Sequence, residues 1–425
     1  MAESLSSRGQ DMLTQGTYIQ PFFARVRQNR YHPVDNPRGI ADLGLAENKL
    51  CEDMWEQKLG PAVLAPEDGS LLYYEKATGN IGFKETMKKF IEKRFKARHP
   101  LSTDNIFITN GVTVVLEALA FALADPGDFI MVMSPYYYRI KNDLYERPTV
   151  NVLEVFISLE LLHQGQGDIS VVFESVYRKA ISEGKQVKAV LLVNPSNPSG
   201  LVMTSDHLMQ VLDFANRYKL HVIANEIYAQ SVSDPDVRFT SVLSLPLPDP
   251  GRVHFTWGVS KDLGLSGYRC GVVYTCNPGL TQYLGLTSIY FRCAGLIQHR
   301  LNQVLGDDDW LDNVLFPTMR RRMRERFTKT RDMLTSYGVE VFPTPATIFM
   351  WANFSQFLSD NSFEAERDLF GKFLDGGVFF LPGQSCYSPE PGWFRLVLSL
   401  DAQVHEEGFV RLKQVLKEIK PSIQA

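Results

Sequence analysis

Cysteine is scarce in this chain. There are five in 425 residues, at positions 51, 270, 276, 293 and 386, an odd number without the Cys-x-x-Cys spacing of a zinc site. That scarcity excludes a disulfide framework and reads as reduced thiols in an intracellular protein. Long apolar runs are also missing: none approaches the roughly 18 residues that a membrane-crossing helix needs. The polar start MAESLSSRGQ lacks the apolar core of a signal peptide, so the expectation is a cytoplasmic protein without a membrane partner. Nor is there a basic stretch of the kind that grips nucleic acid; 44 Lys and Arg stand against 48 Asp and Glu, for a net charge of −4. Internal repeats and low-complexity segments are absent as well.

What the chain does have is core-forming material, 44% hydrophobic and 12% aromatic, enough to fill two lobes. From about residue 105, short β-branched runs alternate with longer helical segments, the pattern of a mostly parallel sheet covered by helices. NIFIT (105–109), DFIMVM (128–133), VKAVLLV (187–193), HVIAN (221–225), RVHFTW (252–257) and CGVVYT (270–275) read as strands. After about 305 the character changes to a long charged helix, PTMRRRMRERFTKTRDML, followed by VEVF, TIFMW, VFFL and FRLVLS with two further helices. The run Arg320 to Arg322 reads as a solvated helix face. The expected division is an N-terminal segment over 1–60 packing with the smaller lobe and a partner subunit, a large α/β domain over 61–310, and a small α+β domain over 311–425.

Three stretches suggest chemistry. VSKDLGLSGYRCG (259–271) follows a strand and holds Lys261, with Arg269 eight residues on. A semi-buried lysine beside a second cation has the lowered pKa that Schiff-base chemistry needs, and the guanidinium suits a phosphate. LLVNPSNPSG (191–200) ends a strand on a doubled Asn-Pro turn, at the strand end where α/β folds bind ligands. TNGVTVV (109–115) puts Gly111 between a strand and a helix N-terminus, where free amides favour phosphate.

Jointly with the strand end NEIY and with GWFRLVLS (392–399), these stretches resemble the fold type I pyridoxal-phosphate enzymes of aminotransferase class I/II. NPRGIADLGLAENKLC (36–51), LADPGD, SPYYY, SKDLGLSGYRCG and EPGWFR are similar to 1-aminocyclopropane-1-carboxylate synthase and its synthase-like relatives. The resemblance implies pyridoxal 5'-phosphate as cofactor, an α-amino acid as substrate and a homodimer. It implies that Lys261 carries the cofactor and moves the Cα proton, and that Arg269 clamps the phosphate with Ser260 and the amides at Gly111, Val112 and Thr113. Asn197 and Tyr228 would bond the ring's phenolic oxygen, Tyr137 would stack on the ring, Arg395 would grip the substrate carboxylate, and Glu47 would lie at the substrate pocket. Taken alone, Tyr137 reads equally as one of three packing tyrosines and Arg395 as a solvent-facing strand residue.

Asn225 departs from the resemblance. The relatives carry an aspartate there, whose charge keeps the cofactor's ring nitrogen protonated, and an amide brings no charge. The difference is on the order of several kcal/mol in stability of the protonated ring. Gly258, Ala77, Ala294 and Gly295 also stand where the relatives carry hydroxyl side chains. The expected function is a synthase-like lyase or aminotransferase, with carbon–sulfur lysis and a catalytically weakened homologue as alternatives.

Overall fold

The computed structural model describes residues 4–60 and 69–419. Its larger sheet has seven strands: β2 (Ile106–Thr109), β3 (Phe129–Ser134), β4 (Asn151–Phe156), β5 (Val187–Val193), β6 (His221–Asn225), β7 (Val253–Gly258) and β8 (Gly271–Thr275), in the order β2-β8-β7-β6-β5-β3-β4. Neighbours from β4 to β7 are parallel, and β8 runs antiparallel to both β7 and β2. All the strands except β8 therefore point the same way and end on one edge. β5 shows why the sheet is buried on both faces: Val190 and Leu192 enter one apolar core, Ala189 and Leu191 the other. The helices that cover it start on sequence signals. Asn80 accepts from the Phe83 amide ahead of Ile81–Arg94, and Thr204 accepts from the His207 amide ahead of Ser205–Arg217.

β4 has no counterpart among the strands read from sequence. Its residues are mostly half-buried, so NVLEVF lacks the unbroken apolar signature of β5.

A second, four-stranded sheet, β12-β13-β10-β9, is made from β9 (Glu340–Val341), β10 (Phe349–Asn353), β12 (Leu381–Pro382) and β13 (Trp393–Val397). The near end of the chain joins this region. β1 (Ala41–Asp42) pairs in parallel with β11 (Val378–Phe379), and the Val397 amide donates to the Leu43 carbonyl at 2.8 Å.

The helix Phe316–Thr335 corrects one expectation. Arg321 is exposed and pairs with Glu325, but Arg320 and Arg322 are not a solvated face. Arg320 Nε donates to the Gln230 carbonyl at 3.2 Å; Arg322 holds the Leu50 carbonyl and, through both Nη atoms, Asp53. In long side chains the apolar stem lies along the core while the head finds carbonyls, which charge counting along a sequence misses.

Far from the converging strand ends, His221 Nδ1 and His254 Nε2 lie 2.9 Å apart, and His254 Nδ1 meets Thr275 Oγ1 at 2.9 Å. Burial pushes His254 down to about 3, with the facing His221 acting in the same direction. A histidine whose folded pKa lies below its unfolded value stabilises the fold above about pH 6.5 and loses that contribution as acid protonates the unfolded chain. Stability is therefore expected to fall between pH 6.5 and 5 by about 2 kcal/mol from His254 alone. Urea melts of the wild type and of His254→Gln check this, and equal pH slopes for the two would refute it.

Candidate active site

Five co-directional strands deliver the residues. Gly111 follows β2, Tyr137 follows β3, Asn197 follows β5, Asn225 ends β6 with Tyr228 three residues on, and Lys261 follows β7. Ligands of α/β sheets bind beyond such strand ends.

Lys261 is partly buried on the short helix Val259–Asp262, and its Nζ donates to the Ala46 carbonyl at 2.5 Å. Burial lowers it to about 8; the cations Arg395 and Arg269 act in the same direction and the Glu47 carboxylate opposes them. An amine at that value is far readier to act as nucleophile or base at neutral pH than an ordinary lysine. Asn48 Nδ2 steadies the turn by donating to the Lys261 carbonyl at 2.9 Å.

Arg395 is 1% exposed and sits in β13 opposite Trp351 of β10. One Nη donates to Asn197 Oδ1 at 3.0 Å and the other to the Gly44 carbonyl at 2.7 Å; the guanidinium lies 5.0 Å from the Phe349 ring, and Nε is buried with no partner. No ion pair neutralises Arg395 among the described residues. A buried, uncompensated cation is costly unless an anionic ligand completes it. The same Asn197 donates through Nδ2 to the Tyr228 hydroxyl at 3.4 Å, so Arg395, Asn197 and Tyr228 form one chain. Burial holds the Tyr228 phenol well above its usual range, with Arg395 opposing.

The phosphate side is built from backbone. Gly111 has φ +88°, and a Cβ there would lie 2.6 Å from Arg269 Nη2, so the guanidinium rests on the N-terminus of the helix Val112–Leu123. Arg269 itself is left-handed at φ +47° and exposed, with one Nη donating to the Ser266 carbonyl at 3.1 Å. Ser260 is buried beside Lys261, Val112 is buried at the helix start and Thr113 is exposed. At Gly258 a Cβ would meet the Cys270 carbonyl and Val112 Cγ2, each at 3.0 Å. A serine there would be crowded unless these neighbours shifted by a few tenths of an ångström.

Asn225 is buried, and its Oδ1 has no hydrogen-bond partner. Like Arg395 Nε, this orphaned amide oxygen marks a place that a ligand completes. Of the three tyrosines, Tyr136 is a core residue, its ring stacked on Tyr387 at 4.5 Å and its hydroxyl donating to Glu154 at 3.1 Å. Tyr137 is partly buried, meets Tyr138 edge-on at 4.9 Å, and has its phenol raised by burial with Tyr138, Asp143, Arg395 and Tyr228 as charged or ionisable neighbours. Glu47 accepts from Ser399 through its carbonyl and turns its charge on Lys261. The carbonyls of Gly44 and Ala46 and the Phe349 ring also belong to the site. Backbone carbonyls carry no residue-type signal, and Phe349 is a site residue only because Tyr228 and Arg395 converge on it.

Parallel strand ends meeting at one lysine are the arrangement of fold type I, and the chemistry that this fold serves here is that of pyridoxal phosphate. The aminotransferase class I and II family model matches residues 41–412, and the chain belongs to that family. It is similar to the mouse 1-aminocyclopropane-1-carboxylate synthase-like protein 1, with 33% identity over 417 residues, 97% of this chain and 83% of the relative. It is similar to the human "Probable inactive 1-aminocyclopropane-1-carboxylate synthase-like protein 2", with 32% identity over 429 residues, 99% of this chain and 74% of the relative. A solved Thermus thermophilus aspartate aminotransferase double mutant has the same fold, with a TM-score of 0.76 and 18% identity over 97% of this chain and 99% of that one. The residues fit the cofactor: a helix N-terminus under Arg269 for its phosphate, Lys261 for its aldehyde, and the unpaired Asn225 amide beyond the Asn197–Tyr228 pair for its ring. No helix among the described residues is long and apolar enough to cross a membrane.

Proposed function

We propose that this chain acts on an α-amino acid with pyridoxal phosphate held at Lys261, as a 1-aminocyclopropane-1-carboxylate-synthase-like lyase or an aminotransferase. The observation that carries the reading is Arg395, a buried cation with no anion of its own, across from a lysine whose amine is lowered to about 8. Bound there, the cofactor supplies an electron sink for a bond broken at the substrate's α-carbon. The protein does the rest. Arg395 receives the carboxylate in a fork of N–H donors, Asn197 keeps that fork in register with Tyr228, and the Lys261 amine takes and returns the α-proton. Burial of these groups keeps water from the site. The test is to add amino acids singly to the purified, cofactor-loaded protein, following the absorbance and assaying keto acids; pyruvate or 2-ketobutyrate with ammonia would identify carbon–sulfur lysis instead. A spectrum that no amino acid changes would refute the reading.

Asn225 favours a second outcome, a weakened homologue, because the amide leaves the ring nitrogen uncharged. Asn225→Asp is then expected to raise Cα proton exchange by about tenfold or more. Proton exchange in heavy water, followed by NMR, measures it, and equal rates in both proteins would show that Asn225 is not the switch.

A homodimer is part of the proposal. Tyr74 and Tyr290 are 91% and 85% exposed, with Leu72, Leu286 and Ile289 exposed beside them in sequence. Arg292 covers the Tyr74 ring at 5.0 Å and bridges to Thr109, one residue before the Asn110–Gly111 turn. An apolar surface that reaches the phosphate seat suits a second copy of the chain. Tyr290→Asp is expected to halve the mass seen by light scattering and to weaken cofactor retention; an unchanged mass would place the interface elsewhere.

A further inference from the structure

Behind Lys261 lies a carboxylate with no signature in the sequence. Asp262 has no exposed surface, yet it accepts three hydrogen bonds: from Ser231 Oγ at 2.6 Å on one oxygen, and from the Gln230 amide at 3.0 Å and Trp257 Nε1 at 2.9 Å on the other. No salt bridge neutralises it among the described residues. Burial pushes its pKa up to about 7, against the pull of those three donors. An apolar or neutral side chain would pack this position at lower cost, whereas a fully satisfied buried polar network fixes one geometry.

The three donors show what is being fixed. Trp257 lies on β7, which leads into the Lys261 turn. Gln230 and Ser231 close the turn that begins at Tyr228, where the Ser231 amide donates to the Tyr228 carbonyl at 3.0 Å. One carboxylate thus ties the backbone under the lysine to the backbone under the tyrosine. The same segment is held from its other side. Arg320 donates to the Gln230 carbonyl, Arg324 donates through Nε and Nη2 to the Ser233 carbonyl at 3.0 and 2.8 Å, and the Thr347 amide donates to the Ser231 carbonyl at 3.2 Å. Thr347 stands two residues before β10, whose Phe349 ring lies 5.3 Å from Tyr228 and 5.0 Å from the Arg395 guanidinium.

We propose that Asp262 is a positioning residue that holds the Lys261 amine and the Tyr228 phenol in one register and, through the 230–234 segment, in register with Arg395. This rests on Lys261 being the cofactor lysine. Asp262→Asn keeps the volume but removes the charge, and its Nδ2 then faces Ser231 Oγ, which must turn from donor to acceptor, so that side of the clasp weakens. Arg395, Glu47 and Arg269, the charged groups that face Lys261, are untouched by the change.

The experiment compares Asp262→Asn, Ser231→Ala and Trp257→Phe in the cofactor-loaded protein by melting temperature, kcat, KM, and the pH midpoint of the bound cofactor's absorbance, which reports the Lys261 bond. Asp262→Asn is expected to lower kcat about tenfold or more, to leave KM within about twofold, and to move the pH midpoint by about half a unit or more. The other two variants, each removing one donor, are expected to move kcat and the midpoint the same way by smaller amounts, and they carry the test if Asp262→Asn does not fold. Lower melting temperatures with kcat and midpoint unchanged would overturn the proposal and leave Asp262 a fold-holding residue. If the wild type takes up no cofactor, the assignment of Lys261 fails separately. The clasp is then read from the pH dependence of Lys261 acetylation by acetic anhydride in the same variants, and an unchanged midpoint overturns it.

Discussion

Replacing Lys261 with alanine is expected to abolish turnover, with a loss on the order of 10⁴-fold or more, because the covalent hold and the base disappear together. Borohydride reduction followed by peptide mapping should place a pyridoxyl group on Lys261 in the wild type and nowhere in the variant. A pyridoxyl group on another lysine would end the assignment. The lowered amine gives a second readout. Since the reactive form is the neutral one, reaction of Lys261 with an aldehyde should rise with pH to a midpoint at about 8, where an ordinary lysine would still be mostly protonated.

Arg395 is expected to show the other large effect. Arg395→Leu removes a buried cation that has no partner anion among the described residues, and amino-acid affinity should fall by about 2–5 kcal/mol, on the order of 30- to 5000-fold. Arg395→Lys keeps a charge but loses the planar fork, so a smaller yet clear weakening is expected. The two variants differ in a further way. Arg395 helps to lower Lys261, so deleting the charge should raise the Lys261 midpoint, while the lysine variant should leave it nearer 8. Substrate titrations and pH–absorbance curves on both variants check this. Unchanged affinity in Arg395→Leu would move the carboxylate site elsewhere.

Much of the fold was legible because buried parallel strands are written as unbroken apolar runs. VKAVLLV and HVIAN coincide with β5 and β6, and the glycine at 111 marks a turn whose φ of +88° few other residues adopt. Half-exposed β4 lacks that signature, and two-residue strands such as β1 and β11 are defined by their partners more than by their own residues. The convergence of Lys261, Asn197, Tyr228 and Arg395 followed from resemblance and not from spacing, since 198 residues separate Asn197 from the arginine that donates to it. Asp262 and Arg320 were illegible for a common reason: each looks like surface charge in a sequence and is buried by contacts from distant segments.

The pairing of β1 with β11 has a consequence for how the protein is made. Ala41 and Asp42 leave the ribosome more than 330 residues before Val378 and Phe379, their strand partners among the described residues. At roughly 5–20 residues per second, that is on the order of 20 to 70 s of synthesis. Lys261, which donates to the Ala46 carbonyl, emerges within that interval, but Arg395, which donates to the Gly44 carbonyl, comes only after it. The β1 segment therefore waits without its strand partners until β11 has been made, and the Arg395 side of the site closes only once β13 follows it.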